Sequence, residues 1–250
     1  MNTMIRALAA VAVTLCLAAA VPAQASVVID GTRVIFPAQQ GEVTVRLSND
    51  SEKPAVIEAW VDDGDRQSTP DSVRTPFLIT PPLFRMEPHK DQSLRILYIQ
   101  GKQPLPTDRE SLFWLNVLEI PPKPTGPQYA GKNYLQFAIR SRLKLFYRPA
   151  KLPGDSTKAP DQLTFKAAAS GQGVALVAHN PTPYYVTIVG LSLGSAGHPV
   201  LAAPGMVAPF GNLELKLKDV PQAPSAGTAV VFTTINDYGA DDIHKGTVAQ

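Results

Sequence analysis

An all-β fold is predicted by three features of this sequence. Prolines are frequent and scattered, 24 in 250 residues, which leaves little room for long helices. Apolar residues recur in short alternating runs between clusters of Gly, Pro, Asn and Asp. Segments of helical period are nearly absent. Together these describe β-sandwich or β-barrel architecture.

Residues 1–25 stand outside the pattern. Arg6 gives a positive start, residues 7–20 are an uncharged apolar run, and Ala23-Gln24-Ala25 is a small-x-small cleavage signal. The segment reads as a secretory signal peptide cut after Ala25. As a membrane anchor it is too short, and no second apolar run follows. Cys16, the single cysteine, lies within it. Residues 26–250 therefore have no disulfide and no thiol chemistry, and must rest on hydrophobic cores. The formal net charge of +2, which falls by one with Arg6, gives no basis for general nucleic-acid binding.

Strands are expected at 27–29, 33–36, 42–48, 55–61, 77–80, 83–86, 92–99, 111–120 and 134–147. Residues 43–47 alternate cleanly and Asn49-Asp50 follows as a turn signal. Trp60, within 55–61, is read as a core anchor. The segment 134–147 is the most informative. Leu135, Phe137, Ile139, Leu143, Leu145 and Tyr147 share one parity, while Gln136, Arg140, Arg142 and Lys144 share the other. One long strand with an apolar face and a basic face results, well beyond the usual five or six residues. Such a strand can close a core or be lent to another protein, and the alternation leaves both open. The proline-rich stretch 121–127 before it reads as a stiff connection.

Residues 149–160 hold three prolines, a glycine and several polar residues, and form the best domain boundary. Strands resume at 163–168, 174–178, 184–193, 213–217 and 228–235. The simplest organisation is two all-β domains, 26–149 and 161–250, joined by a linker at 150–160. A single large barrel is the alternative.

Catalytic signals are sparse. His89, His179, His198 and His244 lack a second histidine or a cysteine at ligand spacing, and each is expected at a turn or surface. There is no G-x-S-x-G elbow and no Gly-rich phosphate loop. Asp62-Asp63-Gly64-Asp65 lacks the remaining spacing and distal glutamate of a calcium loop, and reads as a solvated turn. No metal or cofactor is expected. A carbohydrate-active sandwich would need two placed carboxylates, for which Glu110 and Asp237 are available.

Six segments carry a resemblance. They are Thr32-Arg33-Val34-Ile35-Phe36-Pro37, Thr80-Pro-Pro-Leu-Phe-Arg-Met-Glu-Pro88, Asp108-Arg-Glu-Ser-Leu-Phe-Trp-Leu-Asn-Val-Leu-Glu-Ile-Pro-Pro122, Leu143-Lys-Leu-Phe-Tyr-Arg-Pro149, Asn180-Pro-Thr-Pro-Tyr-Tyr185 and Ile235-Asn-Asp-Tyr-Gly239. In this order, and across nearly the whole of 26–250, the chain resembles the PapD-like periplasmic pilus-assembly chaperones. The resemblance implies two immunoglobulin-like β-sandwich domains in a boomerang arrangement. It implies that Arg33 and Lys144 anchor a pilus subunit's C-terminal carboxylate. It implies that Leu135, Phe137 and Ile139 are the donor side chains that complete the subunit's fold. It implies that Glu110, Arg148 and Asp237 form an interdomain salt bridge.

The implied function is non-enzymatic: binding, folding and stabilising pilus or fimbrial subunits in the periplasm, then delivering them to an outer-membrane usher. No nucleic acid and no stable membrane insertion are expected, and the empty protein has an apolar edge through which it can self-associate. The connection 121–133 points to the branch of the family with a short loop there. The rival reading is an exported two-domain adhesin or pilus structural subunit. That reading predicts an N-terminal donor extension and often a disulfide, and neither is evident.

Overall fold

The computed structural model describes residues 27–101, 104–129, 131–170, 173–194 and 199–250. The signal peptide and His198 lie outside the described residues.

Among the described residues the first domain is a sandwich of nine strands: β1 (Val27–Ile29), β2 (Arg33–Pro37), β3 (Glu42–Asn49), β4 (Ala55–Asp62), β5 (Phe77–Thr80), β6 (Leu83–Met86), β7 (Asp91–Tyr98), β8 (Ser111–Ile120) and β9 (Ile139–Arg148). One sheet has the order β1-β3-β7-β5 and the other β2-β9-β8-β4-β6. Alternation supplies the core. Val45, Leu47, Leu94 and Ile96 from the first sheet meet Ile57, Val61, Leu115, Val117, Leu143 and Leu145 from the second. At one end Phe77 packs edge-on to Phe113 at 4.9 Å, and Tyr98 lies 4.7 Å from Tyr147. These rings hold the C-terminal half of β9 in the core.

The second domain contains β10 (Thr164–Ser170), β11 (Gly173–His179), β12 (Val186–Leu193), β13 (Gly205–Val207), β14 (Asn212–Lys216), β15 (Ala229–Ile235) and β16 (Asp241–Thr247). Its sheets run β10-β11-β14 and β13-β12-β15-β16. Phe165, Leu176, Ile188, Leu215, Val230 and Phe232 fill a separate core. Two distinct cores in two pairs of sheets replace the single-barrel alternative. Short 3-10 turns at Ser156–Lys158 and Pro160–Gln162 lie between the domains.

Four expectations change. The long strand begins at Ile139, not at Tyr134, because residues 132–138 make no ladder with any neighbour. Trp60 is buried, but on the face opposite Ile57, Ala59 and Val61, and it stands outside the core cluster. Arg140 covers its ring at 4.6 Å. Asp62 is not solvated: its side chain has no exposed surface and it binds Arg142, although Asp63 and Asp65 are exposed as expected. His244 is only 11% exposed, stacks on Phe232 at 5.4 Å and meets Asp161 at 2.7 Å, whereas His89 and His179 lie at the surface.

Candidate functional site: a cation pair at the end of an open strand edge

β2 and β9 run parallel, and their register sets Arg33 opposite Lys144. This is the only parallel pair among the named strands of the described residues. Strand neighbours lie about 4.8 Å apart, so two cations sit side by side. Each reaches into the second domain: Arg33 Nη1 donates to the Ile235 carbonyl at 2.9 Å, and Lys144 Nζ to the Thr187 hydroxyl at 3.3 Å. Phe146 lies 5.9 Å beneath the Arg33 guanidinium. Arg33 Nε is buried without a hydrogen-bond partner. Burial lowers the pKa of both groups. Asp237 partly offsets this at Arg33, and the neighbouring Arg33 lowers Lys144 further. Neither cation forms an ion pair among the described residues. The pair is short of negative charge and of acceptors, which is the chemistry that receives a carboxylate.

The pair also marks a change in how β9 is used. β8 bonds one side of the strand throughout, from Ile139 to Tyr147. β2 bonds the other side only from Lys144 to Arg148. The edge from Ile139 to Leu143 is therefore open. Ahead of it Leu135, Phe137 and Ile139 are 77%, 67% and 54% exposed. Such a row beside an unpaired strand edge is a template for a further strand.

At the far end of β9, Arg148 joins the domains. Its Nε donates to Glu110 Oε1 at 2.7 Å, and Nη1 and Nη2 donate to Asp237 at 2.7 and 2.9 Å. Ser156 links to the same Asp237 at 3.0 Å, and Glu110 Oε2 accepts the Tyr185 amide at 2.8 Å. Burial pulls the Arg148 pKa down, but Asp237 and Glu110 more than reverse this, so it stays charged. Burial pushes the Glu110 carboxyl above its usual value, with Arg148 and the Tyr185 amide opposing. Glu110 and Asp237 are thus saturated by one guanidinium rather than free as an acid–base pair.

The structure sets Arg33 opposite Lys144 and joins Glu110, Arg148 and Asp237 at the domain junction, while Ile139 opens β9 and Leu135 and Phe137 lie exposed in the segment before it. It adds contacts that the alternation of apolar residues did not mark. Thr187 and Tyr185 reach the site because Asn180 ties the preceding loop, bonding the Tyr184 and Ala208 carbonyls at 2.7 and 3.1 Å. Gly239, with φ of +85°, lets the β15–β16 turn close on Thr32, where a Cβ would lie 2.3 Å from the hydroxyl. Both contacts cross between distant segments, so local periodicity carries no trace of them.

The chain is similar to known proteins over nearly its whole length. Residues 26–153 match the profile "Pili and flagellar-assembly chaperone, PapD N-terminal domain", and residues 158–246 match "Pili assembly chaperone PapD, C-terminal domain". The chaperone protein FimB/FhaD of Bordetella pertussis is 46% identical over 230 residues, covering 91% of this chain and 90% of that one. The crystal structure of the CupB2 chaperone of Pseudomonas aeruginosa superposes with a TM-score of 0.73 at 38% identity, over 89% of this chain and all 100% of the other. A Salmonella enterica structure of SafA pilin in complex with the SafB chaperone gives 0.73 at 27% identity, over 91% and 99%. Two matched domains, close full-length relatives and a shared fold lead to one conclusion: this chain belongs to the PapD family of pilus-assembly chaperones, which are non-enzymatic.

Proposed function

We propose that this protein works in the periplasm, capturing pilus or fimbrial subunits by donating the edge that begins at Leu135 and ends at Lys144. One observation supports the reading: an open strand edge leads directly to two partly desolvated cations that form no direct ion pair among the described residues. A subunit strand laid on β9 would run alongside Ile139–Leu143. Its terminal carboxylate would bond Arg33 and Lys144, at roughly 1.5–3 kcal/mol per charged hydrogen bond. Leu135, Phe137 and Ile139 would fill the subunit's unfinished core, at roughly 1.5–3 kcal/mol for each large apolar side chain buried. Association costs reduce both contributions.

Glu110, Arg148 and Asp237 would set the angle between the domains, with the linker at 150–160 as the elbow. Loaded protein would then pass its subunit to an outer-membrane usher. The connection 121–133 favours the short-loop branch of the family.

The test is co-expression of residues 26–250 with a fimbrial subunit exported to the same compartment, followed by purification through a tag on the chaperone. Wild type should retain the subunit. Lys144→Ala and Arg33→Ala should fold and yet retain none. Normal complexes from both variants would remove the anchor role.

A further inference from the structure

The half of β9 with the open edge is held from beneath by a buried charge cluster that the capture site does not use. Asp62, at the end of β4, has a side chain with no exposed surface. Arg142 reaches it across β8, with Nη2 on Oδ1 at 2.5 Å and Nε on Oδ2 at 3.1 Å. Asn116 of β8 donates to Oδ2 at 2.7 Å, Ser68 to Oδ2 at 3.2 Å, and the Gly64 amide to Oδ1 at 2.7 Å. Arg140 joins through Asn116 Oδ1 at 2.9 Å, the Arg66 carbonyl at 2.9 Å and the Ser68 hydroxyl at 3.1 Å. Each guanidinium also lies over an indole, Arg140 over Trp60 at 4.6 Å and Arg142 over Trp114 at 4.2 Å.

Both arginines come from the stretch that β2 leaves unpaired, and both point to the outer face of the five-stranded sheet. Their side chains are only 25% and 17% exposed. A strand bonded on one side frays more readily than one bonded on both, and a frayed strand must be ordered when a partner arrives. Holding it straight from below leaves the edge free and removes that ordering from the binding step.

We propose that Asp62 is a positioning residue for capture: through Arg142, and through Asn116 and Ser68 to Arg140, it keeps the open half of β9 extended before any guest binds. This rests on the capture reading above and names the device that prepares the edge. The two arginines serve the strand's shape. Lys144, on the same face two residues on, serves the guest.

The test uses residues 26–250 and a synthetic peptide of alternating apolar residues with a free C-terminal carboxylate, beside its C-terminal amide. The pair Asp62→Asn with Arg142→Gln removes one charge of each sign, and Arg140, which lies 3.6 Å from Asp62, keeps its bonds to Asn116, Ser68 and the Arg66 carbonyl. Arg140→Gln, which leaves the Asp62–Arg142 pair in place, is the milder second variant. Amide exchange in the empty protein is read over 139–143 and, as control, over β3 and β7. The expected result is exchange at least about tenfold faster over 139–143, with the control strands unchanged and peptide affinity about tenfold weaker. Arg140→Gln should move both readings in the same direction by less. Unchanged exchange over 139–143 in both variants overturns the proposal, and so does faster exchange with unaltered peptide affinity. A purely structural role would move all strands together, which also overturns it. Failure of the capture reading has a separate signature: Lys144→Ala binding acid and amide peptides as wild type does.

Discussion

Arg33 and Lys144 face each other across a parallel strand pair, two cations in register, and neither forms an ion pair among the described residues. Folding has placed like charges together and removed part of their water. Such an arrangement is unfavourable in the empty protein and becomes favourable when an anion enters.

If Lys144 is an anchor as proposed, binding should be sensitive to alkali. Its folded pKa lies below 10.5, first through burial and then through Arg33. As pH rises towards 10.5 the folded protein releases this proton before the unfolded chain does. The unfolded state then holds more protons, so this group's contribution to the empty protein's stability increases with pH over that interval. Guest binding should weaken over the same interval, because the anchor loses its charge. Thermal melts and peptide titrations of wild type beside Lys144→Met should show the opposed trends in wild type alone.

Arg148→Ala strands Glu110, buried and already hard to ionise. Breaking a buried pair from one side costs about 3–5 kcal/mol. The loss should appear in denaturant unfolding, and small-angle scattering should show an altered angle between the domains. Arg148→Lys should recover only part of this, since an ammonium cannot fork across Glu110 and Asp237.

Phe137→Ala should leave the empty protein's stability within about 0.5 kcal/mol, because the residue is 67% exposed and belongs to neither core cluster. Subunit complexes should weaken by roughly 1.5–3 kcal/mol, which is about ten- to a hundredfold. Paired measurements of melting temperature and subunit affinity separate the two effects.

Gly239→Ala places a methyl group against Thr32 and a side chain at φ of +85°. The backbone term alone is about 1–2 kcal/mol. The β15–β16 turn should move off Thr32, loosening the Arg33–Ile235 contact and weakening binding of a free-carboxylate peptide. Adding Thr32→Ala relieves the contact but not the backbone, so recovery should be partial in both unfolding and peptide binding.

Much of the fold was legible because alternation is a local property. β5, β6 and β8 begin and end where the pattern places them. β16 was missed because Asp241, Asp242, His244 and Lys245 give it no apolar row. Residues 134–138 show the converse: the alternation is present, but a ladder needs a neighbour, and this chain provides none. Arg33, Lys144, Glu110, Arg148 and Asp237 were singled out by motif rather than by period. Trp60 and Asp62 were misread because their burial comes from Arg140 and Arg142, some 80 residues away. Long-range charge pairing leaves no periodic trace.

The sharing of β9 between a resident neighbour and a vacant edge has one more effect. Where β2 begins, the vacant edge stops. On the proposed reading a chain laid along that edge would advance no further than Arg33, and the site would act as a ruler with a fixed zero mark. It would count residues back from a chain's end rather than spell out their identity, so guests of quite different sequence would be measured against the same scale.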